Sequence, residues 1–368
     1  MWSQLKALIL IGGFGTRLRP LTCTRPKALF PIVNKPLLQW TFERLAANGV
    51  KKVILAVNGL TEFYIRQQRI PTCGLRVKYS RDPPHMPLGT AGPIKKAEKL
   101  LRNDEPFLVL NGDIFADLNY KQMLESHLEG KAVATIALHE VEDPSRYGVA
   151  ELAEDNRIKR FVEKPPKETA PSNLINAGAY ILSPKIFEYI PPRRAVSMER
   201  EIFPKLVEEK ALYGHKVSGL WIDIGRPEEY LHTNRILLDT FAVKQKRHKN
   251  NHFDLKNPAV LDKGVTIGDG SVIGPYAVLG RNVTVGRNVQ IRDSVIFPNA
   301  KIEDFAVISG ALIGEGAQIG KKAKIPDGCI ICDQAKVREG VVLTEKISVC
   351  PAKEVTEDAL KLKTKNIC

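Results

Sequence analysis

Phosphate chemistry is the first thing these residue types suggest. Ala7 to Ile11 are apolar and run straight into Gly12-Gly13-Phe14-Gly15-Thr16-Arg17, and Lys27 follows, with Pro20 and Pro26 between the two cations. A strand that ends in bare backbone beside fixed positive charge suits a phosphate-bearing ligand, because N–H groups of a glycine loop form an anion-binding concavity. Arg17 adds a bidentate fork and Lys27 a mobile point charge. Two commoner phosphate motifs fail. A dinucleotide fingerprint needs a third glycine where Leu18 stands, and a P-loop needs Gly-Lys-Ser/Thr where Thr16-Arg17-Leu18 stands. Elsewhere, Asp113 in LNGD and Asp223 in WIDIG each follow an apolar strand. Read alone, either aspartate could simply cap a helix. Glu163 and Asn176 offer acceptor and amide groups to hydroxyls and Lys164 a cation to a phosphate, although a lone EKP is more often a surface turn.

The elements that must position these groups alternate over the first 240 residues. KALILI, the helical PLLQWTFERLAANG with Pro36 at its first position and Gly49 as its cap, and KKVILAV form one β-loop-α-β unit. LRVKYS, GPIKKAEKLL as a helix, FLVLNGDIF, NYKQMLESHL as a helix and AVATIALHEV continue it. The pattern predicts an α/β domain with a Rossmann-like, mixed but mostly parallel sheet, covered on both faces. Ligands of such sheets sit beyond the carboxyl ends of the strands, where Gly12-Gly13 and Asn111-Gly112-Asp113 fall.

From about Val260 a hexapeptide period takes over. Aliphatic residues recur at Ile267, Ile273, Leu279, Val285 and Ile291, slip by one at two points, and resume at Ile302, Ile308, Ile313, Ile319, Ile325, Ile331 and Val337. A second register of small or branched residues runs through Ser271, Ala277, Val283, Val289, Val295, Ala306, Ala317, Ala323, Cys329, Ala335 and Val341. This is the pattern of a β-helix whose short strands stack coil on coil. Cys329-Ile-Ile-Cys332 looks like a metal half-site, but no second pair partners it and the register puts Cys329 inside, so core packing is expected.

Taken in order, GGFGTRLRPLTCTRPK, PLGTAGP, LNGD, DPSRYGV, FVEKP, INAGAYIL and WIDIG resemble the sugar-nucleotide pyrophosphorylases, nucleotidyltransferases that join a nucleoside triphosphate to a sugar 1-phosphate. The resemblance runs over roughly residues 5 to 345, and its PLGTAGP, DPSRYGV, RFVEKP and INAGAYILSP are similar to the branch that makes GDP-mannose. It implies a left-handed parallel β-helix at the C-terminal end, GTP (or another triphosphate) and sugar 1-phosphate as partners, and Mg²⁺ held by Asp113 and Asp223. It implies a catalytic set of Arg17, Lys27 and Asp113, with Arg17 on the departing pyrophosphate and Lys27 on the nucleotide phosphates. Leu10, Gly12, Gly13, Gly15 and Thr16 would line the nucleotide. Gly148, Glu163, Lys164, Asn176 and Gly178 would meet the sugar phosphate. Gly89 and Thr90 would face the base. Guanine presents N1–H and N2–H donors, so a carboxylate nearby would favour it, and Asp82 is the candidate. The alternatives are a uridylyl- or thymidylyltransferase acting on glucose 1-phosphate or another sugar phosphate, and a non-catalytic regulatory subunit. The intact set Arg17, Lys27, Asp113 and Asp223 stands against the latter. Some relatives with this architecture transfer acyl groups using a histidine base; all seven histidines here precede the repeat, so no acyl transfer is expected.

Organisation and composition bound the rest. The expected domains are 1–240 catalytic, 241–259 a basic linker, 260–342 the β-helix, and 343–368 a tail whose EVTEDALKLK reads as helical. The 368 residues carry a formal charge of +14, which by composition alone admits a nucleic-acid partner. The densest basic run, KQKRHKNNHFDLK, has only Phe253 as an aromatic and falls in the linker, so a solvated connector is expected rather than nucleic-acid contact. Six scattered cysteines in a long chain suggest a reducing compartment, and no run of about 18 apolar residues could span a bilayer. A cytoplasmic homo-oligomer assembled through the exposed coil ends is expected, with no membrane partner.

Overall fold

The computed structural model describes residues 5–13, 15, 18–84, 86–102, 105–241, 252–356 and 366–368. It forms two compact units, Met1–Gly13 with Leu37–Asp223, and Phe14–Pro36 with Ile224–Cys368. The chain therefore crosses between units at residues 13–14, 36–37 and 223–224, whereas the sequence reading draws one boundary at 240.

The first unit is built on a mixed sheet of nine strands among the described residues. Its path runs Ile158–Glu163, Gly148–Leu152, Leu174–Leu182, Phe107–Asn111, Lys6–Leu10, Lys52–Val57, Arg76–Arg81. Lys6–Leu10 is parallel to both of its neighbours, and Lys52–Val57 is parallel to Arg76–Arg81. Leu174–Leu182 runs antiparallel to Phe107–Asn111 and to Ala134–Glu140, which in turn carries Leu212–Lys216 in parallel. The central strands are buried along nearly their whole length, as their unbroken apolar runs require of a sheet covered on both faces. The helix after the glycine loop starts at Leu37, one residue later than expected, because Pro36 pairs in the short ribbon Pro31–Ile32/Lys35–Pro36. The expected single helix over Gly92 to Leu101 is two short ones, Gly92–Lys96 and Glu98–Leu101. They are interrupted at Ala97, whose ψ of 0° leaves the helical basin.

Among the described residues, the second unit is a parallel β-helix of three sheets with five, seven and six short strands. Strand partners lie 18 residues apart in the first coils, as Val272 and Gln290, then 17 apart, as Gln290 and Val307, then 18 again, as Leu312 and Ile330. The two slips in the repeat are the points at which coils shorten. One core runs up the stack and contains Ile273, Leu279, Val285, Ile291, Ile302, Ile308, Ile313, Ile319, Ile325, Ile331 and Val337. At the first slip the small position belongs to Ser294 rather than Val295. The Ser294 hydroxyl donates to Arg292 O (2.6 Å) and accepts from Ala311 N (3.1 Å), filling the turn that the missing residue tightens.

The stack is longer than the repeat suggests at both ends. Asp254–Leu255, inside the stretch 241–259 expected as linker, and Ala259–Leu261, which starts on its last residue, already pair with later strands. Residues 242–251, which hold most of the basic run, lie outside the described residues. In the expected tail, Ser348–Val349, Glu354–Val355 and Asn366–Ile367 add further strands. The helical reading of EVTEDALKLK is thus replaced by strand at Glu354–Val355, and the rest of that run is outside the described residues. Cys329 and Cys332 are buried, while Cys350 and Cys368, 18 residues apart and so on adjacent coils, are joined by a disulfide, a pairing that the reading of scattered cysteines in a reducing compartment does not anticipate.

Residues 18–36 and the helix Pro227–Thr240 pack within this unit. Phe30, Tyr230 and Phe297 form a ring cluster with centroids 5.8 to 6.2 Å apart. The Asn234 side chain accepts from Val33 N (2.8 Å), and the Asn34 amide donates to Leu279 O (2.8 Å).

Candidate active site

In the sheet unit, strand register does most of the positioning. Glu163 lies opposite Gly148, Ile175 opposite Val149, and Ala179 opposite Leu110. These pairings bring Gly148, Glu163, Asn176 and Gly178 to the edge where Phe107–Asn111 ends. Gly178 has φ +71°, and a side chain there would begin 2.2 Å from Ile114 and 2.8 Å from the Asn111 amide, so only glycine fits. The Asn176 carboxamide accepts from Gly178 N (2.9 Å) and donates to the Tyr180 hydroxyl (3.1 Å), which holds its orientation. The Lys164 ammonium stands 3.3 Å from Glu163.

Asp113 directly precedes the strand Ile114–Ala116, which pairs antiparallel with Trp221–Asp223 so that Asp223 faces Ile114. The two aspartates expected to hold metal therefore share one end of a two-stranded ribbon. The Trp221 indole N–H donates to Ala177 O (3.0 Å) and ties that ribbon to the strand carrying Asn176 and Gly178. Among the described residues no group of three or more His, Cys, Asp and Glu side chains could hold a metal ion. Two carboxylates are nonetheless a fitting partial set for a hard cation, which completes its shell with phosphate and water oxygens.

At the end of the strand Lys6–Leu10 in the same sheet, the Leu10 carbonyl accepts from Gly112 N (3.0 Å). Asp82 lies against the glycine turn: one carboxylate oxygen is 3.0 Å from where a side chain on Gly12 would begin. Its other oxygen, Oδ1, is buried without a hydrogen-bond partner among the described residues. Burial pushes the Asp82 carboxyl up to about 6, against the pull of Lys96. Gly89 packs on Val196, and the Thr90 hydroxyl donates to Glu199 (2.6 Å) and accepts from Met198 N (2.8 Å).

In the coil unit, the Thr22 hydroxyl donates to Gly15 O (2.8 Å), and Lys27 opens the 3₁₀ turn Lys27–Leu29. Thr16 and Arg17 lie outside the described residues.

Several residues escaped the sequence reading. Asn58 donates to Gly12 O (3.0 Å) while capping the helix Gly59–Gln68 through Thr61 N (2.7 Å), so one side chain links loop and helix. An Asn before a helical run is an N-cap signal that could have found it. Arg44, with its guanidinium 4.0 Å above the Phe115 ring, lines a cleft with Thr41, Asn111 and Gly178. His139 stacks on Trp221, and Tyr147 meets the same indole edge-on. No short-range pattern announces these contacts.

The pattern of the Nucleotidyl transferase family matches residues 6–240, and that of the GMPPB C-terminal domain matches residues 255–365. The chain belongs to the nucleotidyl transferase family. Among its relatives, the mannose-1-phosphate guanylyltransferase catalytic subunit beta of Danio rerio is 47% identical over 62% of this chain and 63% of its own length, just under two thirds. The protein of that name from Drosophila pseudoobscura pseudoobscura is 39% identical over 72% and 71%, and the mannose-1-phosphate guanyltransferase of Saccharomyces cerevisiae 39% over 70% and 72%. Among solved structures, HddC from Yersinia pseudotuberculosis superposes with a TM-score of 0.55 at 32% identity, over 64% of this chain and all of that one. A second structure of HddC is a complex with GMP-PN.

Proposed function

We propose that the enzyme joins GTP to mannose 1-phosphate and releases pyrophosphate and GDP-mannose. The observation that carries this reading is the convergence of Asp113 and Asp223 on one end of a ribbon tied to the Asn176–Gly178 strand. The relatives named for this reaction, and the GMP-PN complex of HddC, support the choice of substrates. An oxygen of mannose 1-phosphate attacks the α-phosphorus of GTP in line as pyrophosphate leaves, so catalysis is positioning plus neutralisation of phosphate charge. Mg²⁺ held by Asp113 and Asp223 would neutralise phosphate oxygens when bound. Arg17 and Lys27 take the triphosphate. Lys164 meets the sugar phosphate, Glu163 and Asn176 take sugar hydroxyls, and Gly148 and Gly178 let backbone lie against the ring. Asp82 accepts from guanine N1–H and N2–H, which gives its unpartnered oxygen a donor.

The reading extends to a cytoplasmic homo-oligomer assembled through the β-helix. No described helix is long and apolar enough to cross a membrane; assembly is checked by light scattering on the purified chain.

Pyrophosphate release with Mg²⁺ across GTP, UTP, dTTP, CTP and ATP against several sugar 1-phosphates tests the function. Highest turnover with GTP and mannose 1-phosphate is expected. A maximum elsewhere overturns the substrates and keeps the chemistry. Release in no combination overturns the catalytic reading in favour of a regulatory subunit.

A further inference from the structure

We propose that Arg25, clamped on the β-helix by Asp333 and Glu315, is a positioning residue for Lys27: the coil stack is the fixed surface against which the phosphate-binding lysine is set. The proposal rests on the reading of Lys27 as a ligand of the nucleotide phosphates and adds to it the device that holds that lysine in place.

Arg25 is only 8% exposed. One guanidinium nitrogen donates to both Asp333 (2.7 Å) and Glu315 (2.7 Å). Those two acids stand at the same place on adjacent coils, because Gly314-Glu315 and Cys332-Asp333 follow the paired strands Leu312–Ile313 and Ile330–Ile331. The coils themselves are locked together there, with Asp333 accepting from Glu315 N (2.7 Å). The Thr24 hydroxyl donates to the Asp333 oxygen that Arg25 uses (2.6 Å), so two successive residues of the loop grip one carboxylate. The guanidinium also lies 5.1 Å from the centroid of Phe297, on the coil above.

Lys27 is two residues further on. Pro26 between them has φ −62° and no freedom to swing. After it, Ala28, Leu29 and Phe30 are all at most 3% exposed, with Phe30 packed on Tyr230 and Phe297. The lysine is thus flanked on one side by an ionic clamp and on the other by a buried turn, both fastened to the coil unit. A buried ion pair contributes little net stability compared with a well-packed apolar replacement, and here Arg25 Nε is left buried and without a partner among the described residues. Such a cluster secures place rather than stability, and the group whose place matters most to phosphate chemistry is Lys27.

The test uses the full-length enzyme with Mg²⁺ and compares wild type, Asp333→Asn, Arg25→Lys, Lys27→Ala and the double variant Asp333→Asn/Lys27→Ala. GTP affinity by titration calorimetry, KM for each substrate and thermal melting are the readouts. Asp333→Asn is expected to weaken GTP affinity and raise KM for GTP about tenfold while leaving KM for mannose 1-phosphate unchanged. Arg25→Lys, which keeps the charge but loses the planar fork, should fall between the two. In the Lys27→Ala background Asp333→Asn should add no further loss, because a clamp that acts through Lys27 has nothing left to position. Wild-type GTP affinity in Asp333→Asn, or a full additional loss in the double variant, overturns the clamp while the proposed function stands. Wild-type GTP affinity in Lys27→Ala overturns the phosphate role of Lys27 and the clamp with it. If Asp333→Asn does not fold, Arg25→Lys decides alone, by whether GTP affinity falls with the sugar KM held.

Discussion

In the sheet unit, Gly148, Glu163, Asn176 and Gly178 are placed by the register of long strands, whereas in the coil unit Lys27 sits in a loop held by a few side chains. Register is distributed over many backbone hydrogen bonds, so no one of them decides where Asn176 stands. A side-chain anchor is concentrated, and one substitution can release it. One set of the proposed substrate contacts is therefore tolerant of surface change, and the other depends on a residue some 300 positions along the chain.

The largest effect should come where distributed positioning cannot compensate, at the carboxylates themselves. Asp113→Asn is expected to lower pyrophosphate release by about two to three orders of magnitude, with wild-type melting in metal-free buffer; unchanged release would remove the metal role. EDTA should abolish turnover in the wild type without shifting the melting of the coil stack. Next comes the repeat core. Ile319→Ala leaves a cavity between neighbouring coils and should lower stability by about 2 to 5 kcal/mol. Because each coil contacts only its neighbours, hydrogen exchange should rise around that coil and not in the central sheet; a uniform rise would break the contrast between the units.

A smaller effect is expected at Asp82. Its carboxyl is held up to about 6, so it binds a proton that an unfolded aspartate has already lost. As pH rises through the interval from the ordinary aspartate value to about 6, the folded state gives up that affinity and stability declines. GTP binding should run the other way: KM for GTP should rise as pH falls below about 6, and Asp82→Asn should flatten that dependence. A pH-independent KM for GTP in wild type would detach Asp82 from the base. The least effect is expected from Arg338→Ala. Its pair with Glu354 (2.6 Å) is exposed on both sides and solvent-screened, so melting and GTP affinity should stay as in wild type. A loss comparable to that of Asp333→Asn would show that the stack responds to any lost charge, and the contrast between buried clamp and surface pair would fall.

How far the sequence could be read follows from the range of each interaction. The stack was legible because its period is local: every aliphatic position repeats within six residues, and even the slips mark the shortened coils. The ends of the stack were not, since Asp254–Leu255 and Asn366–Ile367 carry too few hexads to show a period alone. The disulfide was within reach, because Cys332, Cys350 and Cys368 recur at the 18-residue length of a coil. The motif residues around Asp113 and Asn176 stood out by type, and the strands delivered them to one edge. The packing of residues 18–36 with the coil was invisible, because Arg25 and Asp333 are 308 positions apart and nothing near either announces the other.

Ser294 and the shortened coils have a consequence for engineering. A stack that absorbs a missing residue at a corner, with a hydroxyl taking up the slack, tolerates length changes that a register-bound sheet would not. Single-residue deletions or short peptide insertions at coil corners away from residues 315 and 333 should therefore give folded, active protein, which makes those corners the natural places to graft an affinity tag or a fluorophore.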